Sequence, residues 1–195
     1  SNAQLWVYDL DRGGDARQVT DLPDGISDFD WGPEGERVVV AARDPTAEEA
    51  EQRRERRDGG PVETERLQHK FDGVGYLDGV TTRLFVVDVD TRETRRLDGA
   101  YGGGILHHGE GLQPAWHPDG ERIAFVANHS ETPQDSYVQD LHVVDATTGE
   151  VEQITDGEYT VGDPAWSPDG DRLAFHASDP VNLYAPAEVR SEERR

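Results

Sequence analysis

FDWGPEGERVVV (29–40), PAWHPDGERIAF (114–125) and PAWSPDGDRLAF (164–175) spell one hairpin three times. In each copy a tryptophan (Trp31, Trp116, Trp166) stands two residues before a proline and four before a glycine, and a short apolar run follows. Proline presets φ and glycine takes the positive φ after it, so PDG and PEG read as tight turns between two strands. Self-similarity separated by tens of residues signals a propeller or solenoid, and it directs attention to surfaces ahead of catalytic groups.

A second pair of strands recurs between the hairpins: LWVYDLDRGGDARQVTD (5–21), LFVVDVDTRETRRLDG (84–99) and LHVVDATTGEVEQITDG (141–157). Asp9, Asp88 and Asp145 close its first strand, where a carboxylate bonding the backbone two residues on makes a turn. Lettering the strands a to d, each unit is a four-stranded antiparallel meander. Strand b (RVVVAA, RIAFVA, RLAFHA) is almost uninterruptedly apolar, as for a strand covered on both faces. Strand d is charged, suiting an outer edge.

The expected fold is therefore all-β, a partial β-propeller of two full blades flanked by two half blades, with a short helix and a β-hairpin as an insertion. The boundaries are a c–d hairpin at 5–21, a–b at 29–42, an insertion at 43–82, c–d at 84–98, a–b at 114–127, c–d at 141–155, a–b at 164–177 and a tail at 178–195. Residues 1–3 (SNA) read as a cloning scar preceding a propeller piece at 4–195. Propellers take about 4–8 blades to close, so these units form an arc of a longer protein.

The chain has 195 residues, 41 Asp+Glu against 19 Lys+Arg, a net charge of −22 and no cysteine. Such a surface excludes nucleic acid as a partner, because phosphate contacts need a basic footprint. Cysteine-free, it has no disulfide framework and no thiolate metal site. No apolar run approaches the roughly 18 residues of a membrane span, and the expected location is cytoplasmic. Acid spread over every repeat, with Lys70 the single lysine, reads either as plain solubility or as adaptation to concentrated salt, the latter pointing to a haloarchaeal source.

All long connections (43–82, 99–111, 128–139) are b–c or d–a loops, which lie on one face of a propeller. Binding concentrates in long loops on rigid scaffolds. Tyr101, His107, His108 and Tyr137 on these loops are the candidate binding residues; docking onto another domain is the equal alternative. Within the largest insertion, 44–58 suits a surface helix with a Glu49–Arg53 pair. Residues 64–82 suit a hairpin whose Phe71, Val74, Tyr76 and Leu77 need cover. His107 and His108, with Glu110, fall short of the ligand spacing of a metal centre. His129, His142 and His176 read as packing residues. No GxSxG elbow, reactive cysteine or phosphate loop occurs. No catalytic residue, metal or cofactor is assigned.

PAWSPDGxRLAF resembles the TolB-type propeller repeat. The stretch VETERLQHKFDGVGYLDGVTTRLFVVDVDT (62–91), with RDPTAEE ahead of it, resembles the N-terminal propeller of acylaminoacyl peptidases of the prolyl oligopeptidase family. That resemblance implies a non-catalytic domain capping a C-terminal α/β-hydrolase domain and admitting peptide substrates, in a parent that is a serine peptidase. The alternative is a stand-alone TolB-like propeller binding a protein or ligand. Bare half-blade edges also make a homodimer an expected partner state.

Overall fold

The strands assemble into successive antiparallel sheets along the chain. The computed structural model describes residues 2–11, 13–61, 70–71, 75–102, 112–130, 133, 138–179 and 188–193. Two strands, β1 (Trp6–Val7) and β2 (Arg17–Gln18), pair first. A four-stranded sheet follows in the order β3 (Asp28–Trp31), β4 (Arg37–Arg43), β7 (Thr82–Asp88), β8 (Thr94–Gly102). The next is β9 (Ala115–Trp116), β10 (Arg122–Ala127), β11 (Asp140–Asp145), β12 (Val151–Gln153), again paired in chain order. The last contains β13 (Thr160–Trp166), β14 (Arg172–Ser178) and β15 (Glu188–Glu193). These are the propeller meanders expected from the repeats.

The end of the chain differs from expectation. The sequence leaves 178–195 as a tail and the a–b edge bare, yet β15 pairs with β14 from Arg172↔Glu193 to Ala177↔Glu188. It takes the register of a third strand, because the same offset joins Arg37 to Asp88 and Arg122 to Asp145. An open ladder of amides and carbonyls recruits whatever extended segment lies nearest. Strand β8 likewise runs to Gly102, into the stretch expected as loop, through a register shift beside Leu84.

The acids at the c–d turns bond the backbone, as their positions predict. Asp88 Oδ1 accepts N–H bonds from Asp90 (3.0 Å) and Thr91 (2.7 Å), and Asp145 Oδ1 accepts from Thr147 (2.8 Å) and Thr148 (2.7 Å). These backbone donors, Thr91 for Asp88 and Thr148 for Asp145 foremost, hold both carboxyls below the usual range.

Among the described residues each sheet-to-sheet seam has an apolar cluster. Leu5 and Val19 of the half-blade pack on Val38, Val40, Phe85 and Val87. The opposite face of that sheet (Val39, Leu84, Val86, Leu97) packs on Ile123, Phe125, Val144 and Trp116. Ala124, Val126, Leu141 and Val143 then meet Leu173, Phe175 and Ala177. In the two complete blades strand b is buried on both sides, which explains its unbroken apolar run: Val38 through Ala42 and Ile123 through Ala127 are all buried. In β14, expected to match them, burial alternates instead, with Leu173, Phe175 and Ala177 buried and His176 exposed.

The insertion after β4 contains α1 (Ala47–Arg57), opened by a Thr46/Glu49 capping box and closed near Gly59–Gly60. The expected Glu49–Arg53 pair gives way to other partners. Glu49 accepts from the Thr46 amide at 2.8 Å, and Arg53 reaches Asp24 at 2.6 Å and Asp78 at 3.3 Å. A short hairpin follows, β5 (Lys70–Phe71) with β6 (Gly75–Tyr76), on which Tyr76 remains exposed.

Candidate functional site

Strand order places β3, β9 and β13 at the first edge of their sheets, the edge that faces the axis of a propeller. Their upstream ends open onto the face that carries the long loops. Three polar clusters occupy that face.

The innermost cluster comes from one repeat position, the third residue before each tryptophan: Asp28, Gln113 and Asp163. The Asp163 amide donates to Gln113 Oε1 at 2.7 Å, and the His176 Nδ1 lies 2.8 Å from Asp163 Oδ2. Gln113 and Asp163 both precede proline yet sit at φ 49° and 50°, a left-handed conformation that such residues seldom adopt. The strain coincides with a bulge between Gly162 and Ala165, which re-aims the strand. The Asp28 carboxyl is pushed above the usual range mainly by burial, against the opposing Phe29 amide, with Asp30 and Asp163 adding repulsion. This rim can bind cationic or hydrogen-bond-donating groups without reacting with them.

The second cluster lies at the seam between the two complete blades. The ring of Tyr101 stacks on His129 at 4.4 Å, His129 meets His142 at 4.4 Å, and His142 stacks on Phe125 at 5.2 Å. Arg83 lies 5.5 Å over the Tyr101 ring. His129 Nε2–H donates to the Tyr101 carbonyl at 2.6 Å, and His142 Nδ1–H to the Asp140 carbonyl at 3.0 Å. His142 is buried with Nε2 unsatisfied. Burial, with His129 adding to it, lowers its pKa to about 4, so the ring is neutral at pH 7.

The third is a cleft of about 700 Å³ bordered by Pro23, Asp24, Arg43, Arg53, Arg54 and Arg57. In a chain of net charge −22 it gathers four of the arginines, with Arg43 held by Asp78 and Arg54 by Glu51. Among the described residues no group of three His, Asp or Glu side chains is placed to hold a metal.

Of the expected binding residues, Tyr101 sits in the seam cluster, 40% exposed; His107, His108 and Tyr137 lie outside the described residues. Sequence reasoning misses the inner rim, although aligning DFDW, QPAW and DPAW exposes the shared polar position. His142 reads as a packing residue in the sequence; the structure adds an unsatisfied nitrogen in the core.

Three comparisons with known proteins bear on this arrangement. Residues 117–195 match the family model described as the dipeptidyl peptidase IV N-terminal region. A Bacillus subtilis protein named as an uncharacterized peptidase, YuxL, is 32% identical over 144 residues, 73% of this chain and 21% of the relative. The chain therefore spans about a fifth of the length of that curated relative. The acylaminoacyl peptidase of Pyrococcus horikoshii superposes with a TM-score of 0.68 at 18% identity, over 98% of this chain and 28% of that one. TolB from Acinetobacter baumannii superposes at 0.58 and 16%, over 97% and 35%. The two structural likenesses establish the β-propeller fold. With the sequence matches, they support a propeller of the kind found in the N-terminal region of peptidases.

Proposed function

We propose that this chain is part of a non-catalytic N-terminal propeller that caps the α/β-hydrolase domain of a cytoplasmic serine peptidase of the acylaminoacyl type. In this role it gates the entry of peptide substrates. The observation that carries the reading is the division of labour between the two faces. Tight turns occupy one face, while the strained inner rim, the aromatic–histidine seam and the arginine-lined cleft share the other. The sequence match to a peptidase gives that face its context. An acidic rim at the axis would hold back peptides of unsuitable charge or length on their way to a catalytic centre elsewhere in the parent. Among the described residues no helix is long and apolar enough to cross a membrane.

The test compares the full-length parent with its Asp28→Ala/Asp163→Ala variant on peptides of increasing length. Gating predicts altered kcat/KM for the longer peptides and unchanged values for a minimal chromogenic substrate. Equal effects on both would end the gating reading. The isolated chain should hydrolyse neither; turnover by highly purified chain, surviving replacement of its serines, would show that the chemistry resides here.

The alternative, a stand-alone binding module, draws on the likeness to TolB. Sequencing the parent reading frame discriminates: continuation into a GxSxG strand–turn–helix supports the peptidase, and its absence supports the module.

A further inference from the structure

We propose that the arginine-lined cleft beside α1 is a subsite for the C-terminal carboxylate of a peptide. The subsite rests on the gating role proposed above, in which peptides reach this face, and specifies which end of the peptide is held. Apart from Asn2, which donates to the Pro23 carbonyl at 2.6 Å, the borders of the cleft come from residues 23–57. Its volume of about 700 Å³ falls in the range of small-ligand sites.

Helical periodicity builds the basic wall. Ala50, Arg53, Arg54 and Arg57 recur at i, i+3, i+4 and i+7, so they share one face of α1 and together border the cleft. Glu48, Gln52 and Glu55 fall on the other face. The helix dipole favours basic residues in a last turn. Yet Arg56 of that turn does not border the cleft, whereas Arg43, on β4, does. The dipole therefore explains arginines near the helix end and not their gathering around one cleft.

Two of the four guanidiniums are already neutralised. Arg53 takes up Asp24, an acid that borders the cleft, at 2.6 Å, and Arg43 is held by Asp78. Arg54 meets Glu51 at 3.2 Å, but the side chains are 68% and 60% exposed, and such a pair contributes little. Arg57 is exposed and has no ion pair or hydrogen bond among the described residues. Arg54 and Arg57 are neighbours on the helix surface, so an incoming carboxylate can displace Glu51 and accept from both. Arginine–carboxylate bonds are stronger than neutral ones, and the planar fork suits them. A peptide with a free end always carries that carboxylate, whereas its side chains need not. Pro23 and Asp24 lie on the loop that runs on to Asp28 of the inner rim. Cationic groups of a peptide are thus drawn to the rim and its carboxylate to the cleft.

Isothermal titration of the chain with N-acetyl-tetra-alanine, as free acid and as C-terminal amide, tests this at the lowest salt that preserves its circular dichroism. The acid should bind at least about tenfold more tightly. Arg54→Gln/Arg57→Gln should remove that preference and leave the circular dichroism unchanged, since both side chains are exposed. Arg56→Gln, on the same helix but off the cleft, should keep it. Equal binding of acid and amide, or no binding of either, overturns the proposal. So does a loss in Arg56→Gln matching that of the double variant, or an amide bearing one aspartate that binds as tightly as the free acid. Binding by the chain is read without turnover, so its failure leaves gating to the test on longer peptides, and a failure of gating leaves the carboxylate preference measurable.

Discussion

The Arg37 guanidinium lies 5.2 Å above the indole of Trp116 and donates to the Gly120 carbonyl at 3.0 Å, so one side chain of the first complete blade holds both the tryptophan and the turn of the next. Arg122 repeats the stacking half of this relationship over Trp166. Arg37→Ala should therefore cost about 1–2 kcal/mol, the sum of a partly shielded cation–π contact and one charged hydrogen bond. Arg37→Lys should recover part of it, since an ammonium retains the charge without the planar stacking. Urea denaturation of the three proteins measures both.

The turn glycines differ in surroundings though not in conformation. Gly35 and Gly170 have φ of 74° and 77°, but a Cβ at Gly35 meets open space while one at Gly170 would lie 2.6 Å from the His117 ring. Gly35→Ala should cost roughly 1 kcal/mol for the left-handed backbone alone. Gly170→Ala should cost at least about 1 kcal/mol more, because overpacking adds to it. Equal losses in denaturant midpoint would contradict this difference.

His142 should make the fold acid-sensitive. Its folded pKa of about 4 lies below the unfolded value near 6.5. Above 6.5 neither state carries the proton. As pH falls from 6.5 toward 4 the unfolded chain takes up a proton that the folded core refuses, so stability is lost through that window, by roughly 3 kcal/mol at its lower end. His142→Phe installs the residue found at the equivalent Phe85 and should remove this component. The readout is the difference between the two stability–pH curves, which cancels the carboxylates common to both.

The charge of −22 leads us to propose adaptation to concentrated salt. The melting midpoint should rise from about 0.1 M to about 3 M KCl, beyond the range where the Debye length of about 3 Å at 1 M has already removed long-range repulsion. A flat or falling midpoint would leave solubility as the role of the acids.

Much of the inner rim is legible in the amino-acid sequence. Asp28, Gln113 and Asp163 share a repeat position, and a polar residue three places ahead of a recurring tryptophan is visible by aligning the chain with itself. The bulge and left-handed φ at Gln113 and Asp163 are not legible there, since proline ordinarily drives its predecessor toward extended backbone. Glu49 and Arg53 have ideal helical spacing, but Asp24 and Asp78 claim the guanidinium. A charge pair worth a few tenths of a kcal/mol on an exposed helix yields readily to partly buried carboxylates.

The blades themselves are written in the chain: their strand order, their turns at PDG and at Asp88 and Asp145, and the doubly covered strand b of the two complete blades. All of these follow from local backbone chemistry and side-chain periodicity, and each repeat states them afresh. Which residues meet across the seams is a matter of packing, which places Arg37 on Trp116, Tyr101 on His129, and His142 in a core with an unsatisfied nitrogen. Packing likewise lets β15, with little apolar character, fill the edge of β14. Those outcomes depend on contacts between sheets and on competition for an open ladder, and neither leaves a periodic mark in the chain.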